Sequence, residues 1–362
     1  MVEHVAPVVD CGRFPVKRVS GEDVVVTADV FTDGKDTVAA RLLHRPPGGR
    51  WTAVPLDPSG NDRWSASFPV ERLGIHRFTV EAWIDPFRSW LVGALAKIDA
   101  GQDVAVDLRI GAPLVQEAAD RASSRAAERL RATAAPLLEG DAAAFAAAAG
   151  TIARLMDGLA DRRDATIHPE RTVLVERERA RFSTWYELFP RSAAPEAGRH
   201  GTFADVARRV PGLAALGFDV LYLPPIHPIG VTGRKGRDNA LTARRGDPGS
   251  PWAIGAAEGG HTAIHPELGR AADFRALLAE AGRHGVEIAL DLAYQCSPDH
   301  PWVTEHPQWF RHRPDGSIQF AENPPKRYED IYPIDFDTED REGLWAALKG
   351  VVDHWVGEGV RI

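Results

Sequence analysis

From residue 182 onward the chain alternates short apolar runs with longer segments of helical spacing, and this alternation constrains the fold more than any other feature. The runs are Thr184-Trp185-Tyr186-Glu187-Leu188-Phe189, Val220-Leu221-Tyr222-Leu223-Pro224-Pro225 and Val286-Glu287-Ile288-Ala289-Leu290-Asp291. Residues 203–216, 272–284 and 342–356 carry apolar side chains three and four apart, as one face of a helix requires. Strand, helix, strand, helix is the pattern of a parallel sheet with crossover helices. Gly217 and Gly285 stand just past the first two helical segments, where a left-handed C-cap favours glycine. Long loops after the strands suit a (β/α)8 TIM barrel, whose chemistry sits at the strands' C-terminal ends. An open doubly wound sheet is the alternative; against it, no glycine-rich phosphate fingerprint joins the first strand to the first helix.

The first hundred residues have a different rhythm. Residues 24–30, 37–43, 64–68 and 75–83 read as short strands, with Pro46-Pro47-Gly48-Gly49 and Pro58-Ser59-Gly60-Asn61-Asp62 as turns. They predict an antiparallel β-sandwich over 1–110. Trp51, Trp64, Trp83 and Trp90 suit either a sugar-stacking surface or the core of a small sandwich, and the core is preferred. Alanine then dominates, with Leu130, Leu137, Leu138, Phe145, Ile152, Leu155 and Met156 as a narrow apolar stripe. This predicts an α-helical insert over 111–168, split near Pro136 and Gly140 with Asp141 as an N-cap, packing on its own barrel or on a partner chain. The barrel is expected over 169–362, with an inserted loop domain after strand 3 at about 296–338.

A formal charge of −8 without a sustained basic run gives no basis for nucleic-acid binding. Two cysteines, Cys11 and Cys296, and the lack of an apolar N-terminal stretch argue for a reducing cytoplasm and no membrane.

The loops after the strands carry the chemistry. Gly233-Arg234-Lys235-Gly236-Arg237 is a flexible basic loop where an anion fits, although such loops are also plain solvated surface. After the third strand come Asp291, Gln295, Cys296, Asp299 and His300, and further on Lys326 and Tyr328. Each has a structural alternative: Gln295 ties down a loop, Tyr328 packs half-buried, Asp291 caps a turn, and Asp299 with His300 shapes the turn before Pro301. His261 and His265 lack a third ligand at suitable spacing, so no metal site is expected. If the three loops converge on one mouth, their cationic, amide and phenolic groups suit a sugar with an anionic leaving group.

Trp185-Tyr186-Glu187-Leu188-Phe189-Pro190-Arg191-Ser192, residues 216–226, 261–269 and 285–291 resemble the first three strand regions of the α-amylase superfamily, glycoside hydrolase family 13, over about 179–362. Most members carry Asn-His after the third strand, where this chain has Gln295-Cys296. That departure, the Gly-Arg-Lys-Gly-Arg loop and the segment Pro324-Pro325-Lys326-Arg327-Tyr328-Glu329-Asp330 resemble the branch of maltose 1-phosphate-dependent α-1,4-glucan maltosyltransferases. The resemblance implies that Lys235, Gln295, Lys326 and Tyr328 line a donor phosphate pocket, where two ammonium groups with amide and phenol donors stabilise departing phosphate. It implies α-maltose 1-phosphate as donor, an α-1,4-glucan as acceptor, no cofactor, no metal (Gln295 replaces the asparagine that supports calcium in amylases), and a homodimer. An amylase-like hydrolase, a trehalose-forming isomerase and a non-catalytic glucan-binding protein are the other readings.

The implied reaction is a double displacement with retention. In relatives the fourth strand region opens much as Gly359-Val360-Arg361-Ile362 does and runs on to Phe-Arg-x-Asp, whose aspartate is the nucleophile. The resemblance thus places the nucleophile Asp, the acid/base Glu and a third Asp beyond Ile362 and assigns no catalytic residue within 1–362. It implies that residues 1–362 alone lack transferase activity.

Overall fold

The computed structural model describes residues 1–362, the side chain of Asn239 excepted. It divides into two compact units, Met1–Phe182 and Ser183–Ile362.

The first unit opens with strands β1 (Val2–Ala6), β2 (Val16–Val19), β3 (Glu22–Val30), β4 (Val38–Arg45), β5 (Thr52–Pro55), β6 (Asp57–Gly60), β7 (Arg63–Val70) and β8 (Gly74–Ile84). Helices α1 (Pro86–Asp99), α2 (Ala105–Arg121), α3 (Ser124–Thr133), α4 (Ala135–Glu139) and α5 (Ala142–Met156) follow, then β9 (Thr166–Ile167) and β10 (Arg171–Glu176). One sheet has the order β1-β3-β7-β6; the other runs β2-β10-β8-β4-β5, with β9 beside β8. The period-2 alternation of β3 buries Val24, Val26, Ala28 and Val30 completely or nearly so, and these meet Leu42, Phe68, Phe78, Val80, Val173 and Val175 in one core.

Three expectations need correction here. The sandwich is not wholly antiparallel, because β10 pairs parallel with β2 (Val173 with Val16 through Glu176 with Val19). That strand therefore belongs to the sandwich and not to a barrel starting at 169; its Val173 and Val175 fill the sandwich core. The helices begin at Pro86 and not near 111. Asp85 caps α1, accepting from Arg88 N at 3.0 Å, and Pro86 occupies the first turn, where its missing N–H costs nothing. Farther along, Asp141 caps α5 through Ala144 N at 2.9 Å, as its position suggested. Leu130, Leu137, Phe145, Ile152 and Met156 are buried as the stripe implies, whereas Leu138 is exposed. The tryptophans do not form a shared surface. Trp64 packs on the sandwich core, Trp90 joins the helical core against Phe87 and Phe145, and Trp51 lies outside beneath the Arg45 guanidinium.

The second unit comprises β11 (Trp185–Glu187), α6 (Phe203–Ala215), β12 (Val220–Leu223), α7 (Ala271–Arg283), β13 (Glu287–Leu290), β14 (Gln295–Cys296), α8 (Pro301–Glu305), β15 (Ala321–Asn323), β16 (Lys326–Tyr328), β17 (Tyr332–Pro333) and α9 (Arg341–Gly357). β11, β12 and β13 are adjacent and parallel, with Trp185 opposite Val220 and Val220 opposite Glu287. Leu290 N donates to Ile362 O at 3.1 Å, which sets the last residue beside β13. Thr202 and Asp205 form a capping box on α6, and Arg199 bonds both oxygens of the buried Asp205 at 3.0 and 2.8 Å. Leu221, Leu223 and Ile288 from the strands meet Phe203, Val206, Phe274, Leu277 and Trp355 from the helices in one core. The region after β13 is built from β14–β17, α8 and a smaller core of Cys296, Trp309, Phe310, Ile334, Leu344 and Leu348.

Candidate functional site

The parallel strands all end on the same side, and Asp291 lies immediately past β13. Its carboxylate accepts from Trp252 Nε1 at 2.9 Å and bonds the hydroxyl of Tyr222, the third residue of β12. Burial, and then Asp291, push the Tyr222 phenol up to about 12, so it stays a neutral donor at every working pH. Phe189 stands edge-on to the Trp252 ring, and Gln295 Nε2 donates to Trp252 O at 3.1 Å. Asp291 is thus held between strand ends and loops rather than capping a turn. Trp252 is the residue that sequence reasoning missed; it lies inside the long loop after β12, and its only prior signal was an aromatic side chain amid glycine and proline.

Lys326 and Tyr328 stand two apart on β16 and so share a face. Lys326 is exposed without an ion-pair partner among the described residues, and Tyr328 is half-buried. Lys235, by contrast, is 6% exposed, and its ammonium donates to Glu329, the residue after Tyr328. The basic loop is packed at Arg234 and Lys235, with Arg234 donating to Gly230 O and Ile229 O, each at 2.7 Å, while Arg237 is exposed.

Hydrogen bonds connect the elements carrying these four side chains. β15 and β16 form a hairpin, with Asn323 opposite Lys326 and Ala321 opposite Tyr328. Ile331 N donates to Tyr328 O at 3.0 Å, and β17 pairs with β14, setting Gln295 opposite Pro333. Asp299 fastens the loop after β13 to the loop after β12, accepting from Val231 N (2.6 Å), Thr232 N (2.8 Å) and Thr232 Oγ1 (2.7 Å). Burial works against its charge, yet the Thr232 and Val231 donors hold its carboxyl below the usual range. A separate cavity of about 320 Å³, lined by Arg311, Gln319 and residues 333–337, contains none of the four.

Folding corrects the expectation that His261 and His265 lack further partners: His261 lies close to Cys296 and His300, and His265 close to His200 and Glu267, groupings that linear spacing hid. In the first group the ring protons can be ordered from their partners. Trp302 N donates to His300 Nδ1 at 3.0 Å, so in the neutral ring the proton sits on Nε2 and points to His261 Nδ1, 3.0 Å away. His261 Nε2 then donates to Ala293 O at 3.0 Å. All four ring nitrogens are used, which leaves no lone pair for a metal ion; burial also pushes the Cys296 thiol up, away from the thiolate a metal needs. Asp299 and His300 do not act on each other, and both are loop fasteners in this arrangement.

Burial lowers His227 to about 3, His261 to about 4 and His300 to about 3. A histidine kept neutral in the fold contributes stability in full above its unfolded value near 6.5, and that contribution falls as pH drops toward the folded value. Denaturation of the second unit is therefore expected to become easier between pH 6.5 and pH 4, by about 2 kcal/mol for each such histidine on going from pH 7 to pH 5. Midpoints that stay flat down to pH 4 would show that these rings take up protons without cost.

Comparison with known proteins places the chain. A family profile described as α-1,4-glucan:maltose-1-phosphate maltosyltransferase, domain N/S, matches residues 1–177. Curated proteins named α-1,4-glucan:maltose-1-phosphate maltosyltransferase are 53% identical in Chlorobaculum tepidum and 49% identical in Pseudomonas aeruginosa, each over 100% of this chain. The one from Myxococcus xanthus is 49% identical over 99% of it. The chain spans 55%, 55% and 56% of these relatives, about half their length. A solved structure from Bacteroides vulgatus covers 76% of the chain at 9% identity and a TM-score of 0.19, too low to bear on the fold. Over its whole length the chain is homologous to about half the length of the α-1,4-glucan:maltose-1-phosphate maltosyltransferases, and its residues 1–177 match their N/S domain.

Proposed function

We propose that the intact protein moves maltosyl units from α-maltose 1-phosphate to the non-reducing end of α-1,4-glucans, with retention and release of phosphate. In this reading Lys235, Gln295, Lys326 and Tyr328 form the donor phosphate pocket. The observation that carries it is the hydrogen-bonded continuity of their elements, from the 231–235 loop through Asp299 to β14 and from β14 through β17 to the β15–β16 hairpin. Ammonium, amide and phenol donors at such a junction can orient a phosphate and stabilise charge as it leaves. Asp291, Tyr222 and Trp252 then support the floor beneath the sugar.

The parallel trio β11–β13, with Ile362 running beside β13, supports a (β/α)8 barrel with residues 296–338 as its inserted loop domain. The covalent step is assigned to no residue within 1–362. None of the described helices is long and apolar enough to cross a membrane; a cytoplasmic homodimer is part of the proposal by family analogy.

Incubating the intact protein with α-maltose 1-phosphate and maltohexaose tests the reading. Inorganic phosphate is expected to appear only when both are present, with glucans lengthened by two units. Steady hydrolysis of maltohexaose without the phosphorylated donor would instead mark an amylase-like hydrolase.

A further inference from the structure

Lys235 is a buried cation that already has an anion. Its side chain is 6% exposed, its ammonium donates to the Glu329 carboxylate, and no other carboxylate forms an ion pair with it among the described residues. The two partners differ sharply in access to water, because the Glu329 side chain is 38% exposed. An ammonium this buried needs a counter-charge in every state, since stranding it costs far more than the pair gains. A carboxylate at the surface, however, can turn into water at little cost.

We propose that Glu329 is the resident counter-ion of Lys235 in the ligand-free protein, and that the phosphate of an incoming sugar phosphate displaces it. Glu329 thereby sets the pocket's preference for a doubly charged anion. The proposal rests on the reading of Lys235, Lys326 and Tyr328 as a phosphate pocket and adds the device by which that pocket is kept neutral when empty. A phosphate monoester carries a charge near −2 at pH 7 and takes the place of a carboxylate of charge −1. The exchange gains electrostatic energy for a dianion and almost none for acetate or chloride, so selectivity arises from the competitor as much as from the donors.

Two further features fit this exchange. A Cβ built on Gly233 would lie 3.0 Å from Glu329 O, so the basic loop and the end of the hairpin are already in backbone contact, and the swap needs only a side-chain rotation. Asp330, next along the chain, is 2% exposed, and neither of its carboxyl oxygens has a hydrogen-bond partner among the described residues. Burial pushes its carboxyl up, which weakens the repulsion it sets against an arriving anion.

The test titrates inorganic phosphate, with acetate as the singly charged comparison, into the intact protein and its variants, each first checked for an unchanged melting temperature. Glu329→Gln is expected to bind phosphate about tenfold more tightly than the natural protein, because the competitor is gone and Lys235 is left unneutralised. It should also narrow the gap between phosphate and acetate. Should the Gln variant melt early, Glu329→Asp, which keeps the charge and withdraws it by one methylene, is expected to show a smaller gain in the same direction. Adding Lys235→Met to Glu329→Gln should erase the gain. Unchanged or weaker phosphate binding in both Glu329 variants, while Lys326→Ala still weakens binding, would overturn the exchange and leave the pocket standing. Phosphate binding in none of these proteins would remove both.

Discussion

Lys326→Ala in the intact protein is expected to lower kcat/KM for α-maltose 1-phosphate by roughly 10- to 100-fold, the usual worth of a charge-assisted hydrogen bond to phosphate. The acceptor's KM should hardly change. Lys326 suits this experiment because it is exposed on β16 and has no ion-pair partner among the described residues, so its removal leaves no buried charge behind. Lys235 is the less informative choice: it is buried, so substituting it alters a packed site and mixes folding with binding. The kinetic split is the diagnostic part. Loss confined to the donor assigns Lys326 to the phosphate, equal loss for donor and acceptor assigns it to the general shape of the loop region, and no loss removes it from the pocket.

Gly255→Ala is expected to destabilise the second unit by about 3 kcal/mol, from a left-handed backbone forced on an L-residue together with steric overlap. Gly255 has φ of +107°, and a Cβ there would stand 2.4 Å from Cδ2 and 2.6 Å from Cβ of His300. His300 cannot step aside freely, because its ring nitrogens are fixed by Trp302 N and His261, and Gly260 approaches it closely on another side. Nor is the Gly255 backbone free to shift, since its N–H donates to Pro228 O at 2.7 Å and its carbonyl accepts from Ser297 Oγ. The strain should reach Gln295 and Cys296, which lie between His261's partner Ala293 and Ser297. Urea denaturation of the variant, with donor KM measured alongside, checks both effects; natural stability would show that the histidine chain is slack.

Local signals carried much of this architecture. The alternation around β11, α6, β12, α7 and β13 could be read because each element declares itself over a few residues, through apolar runs, helical spacing and a capping glycine. The sandwich strands β3, β4, β7 and β8 were legible by the same means. The pairing of β2 with β10 was not, since about 150 residues separate partners such as Val16 and Val173 and neither marks the other. Helix α1 was hidden because its apolar residues follow directly on those of β8, with only Asp85 and Pro86 to divide them.

The site divides along the same line. Lys235, Gln295, Lys326 and Tyr328 stood out as residue types in loops after strands. Their partners did not, because a partner is a fact of tertiary structure. Nothing near Lys235 in sequence announces Glu329, nothing near Asp291 announces Trp252, and His261 meets His300 only through the fold. Sequence reasoning therefore named charged and polar groups one by one and could not name the tertiary partners that hold them.

The central claim is that this loop region recognises the phosphate of a sugar phosphate. It is tested most directly by comparing the affinity of the intact protein for α-maltose 1-phosphate with that for maltose under the same conditions. Affinity at least 100-fold tighter for the phosphorylated sugar, lost in large part on Lys326→Ala, is the expected result. Equal affinities for the two sugars would contradict the account, because the charged groups of the basic loop and hairpin would then have no part in choosing the donor.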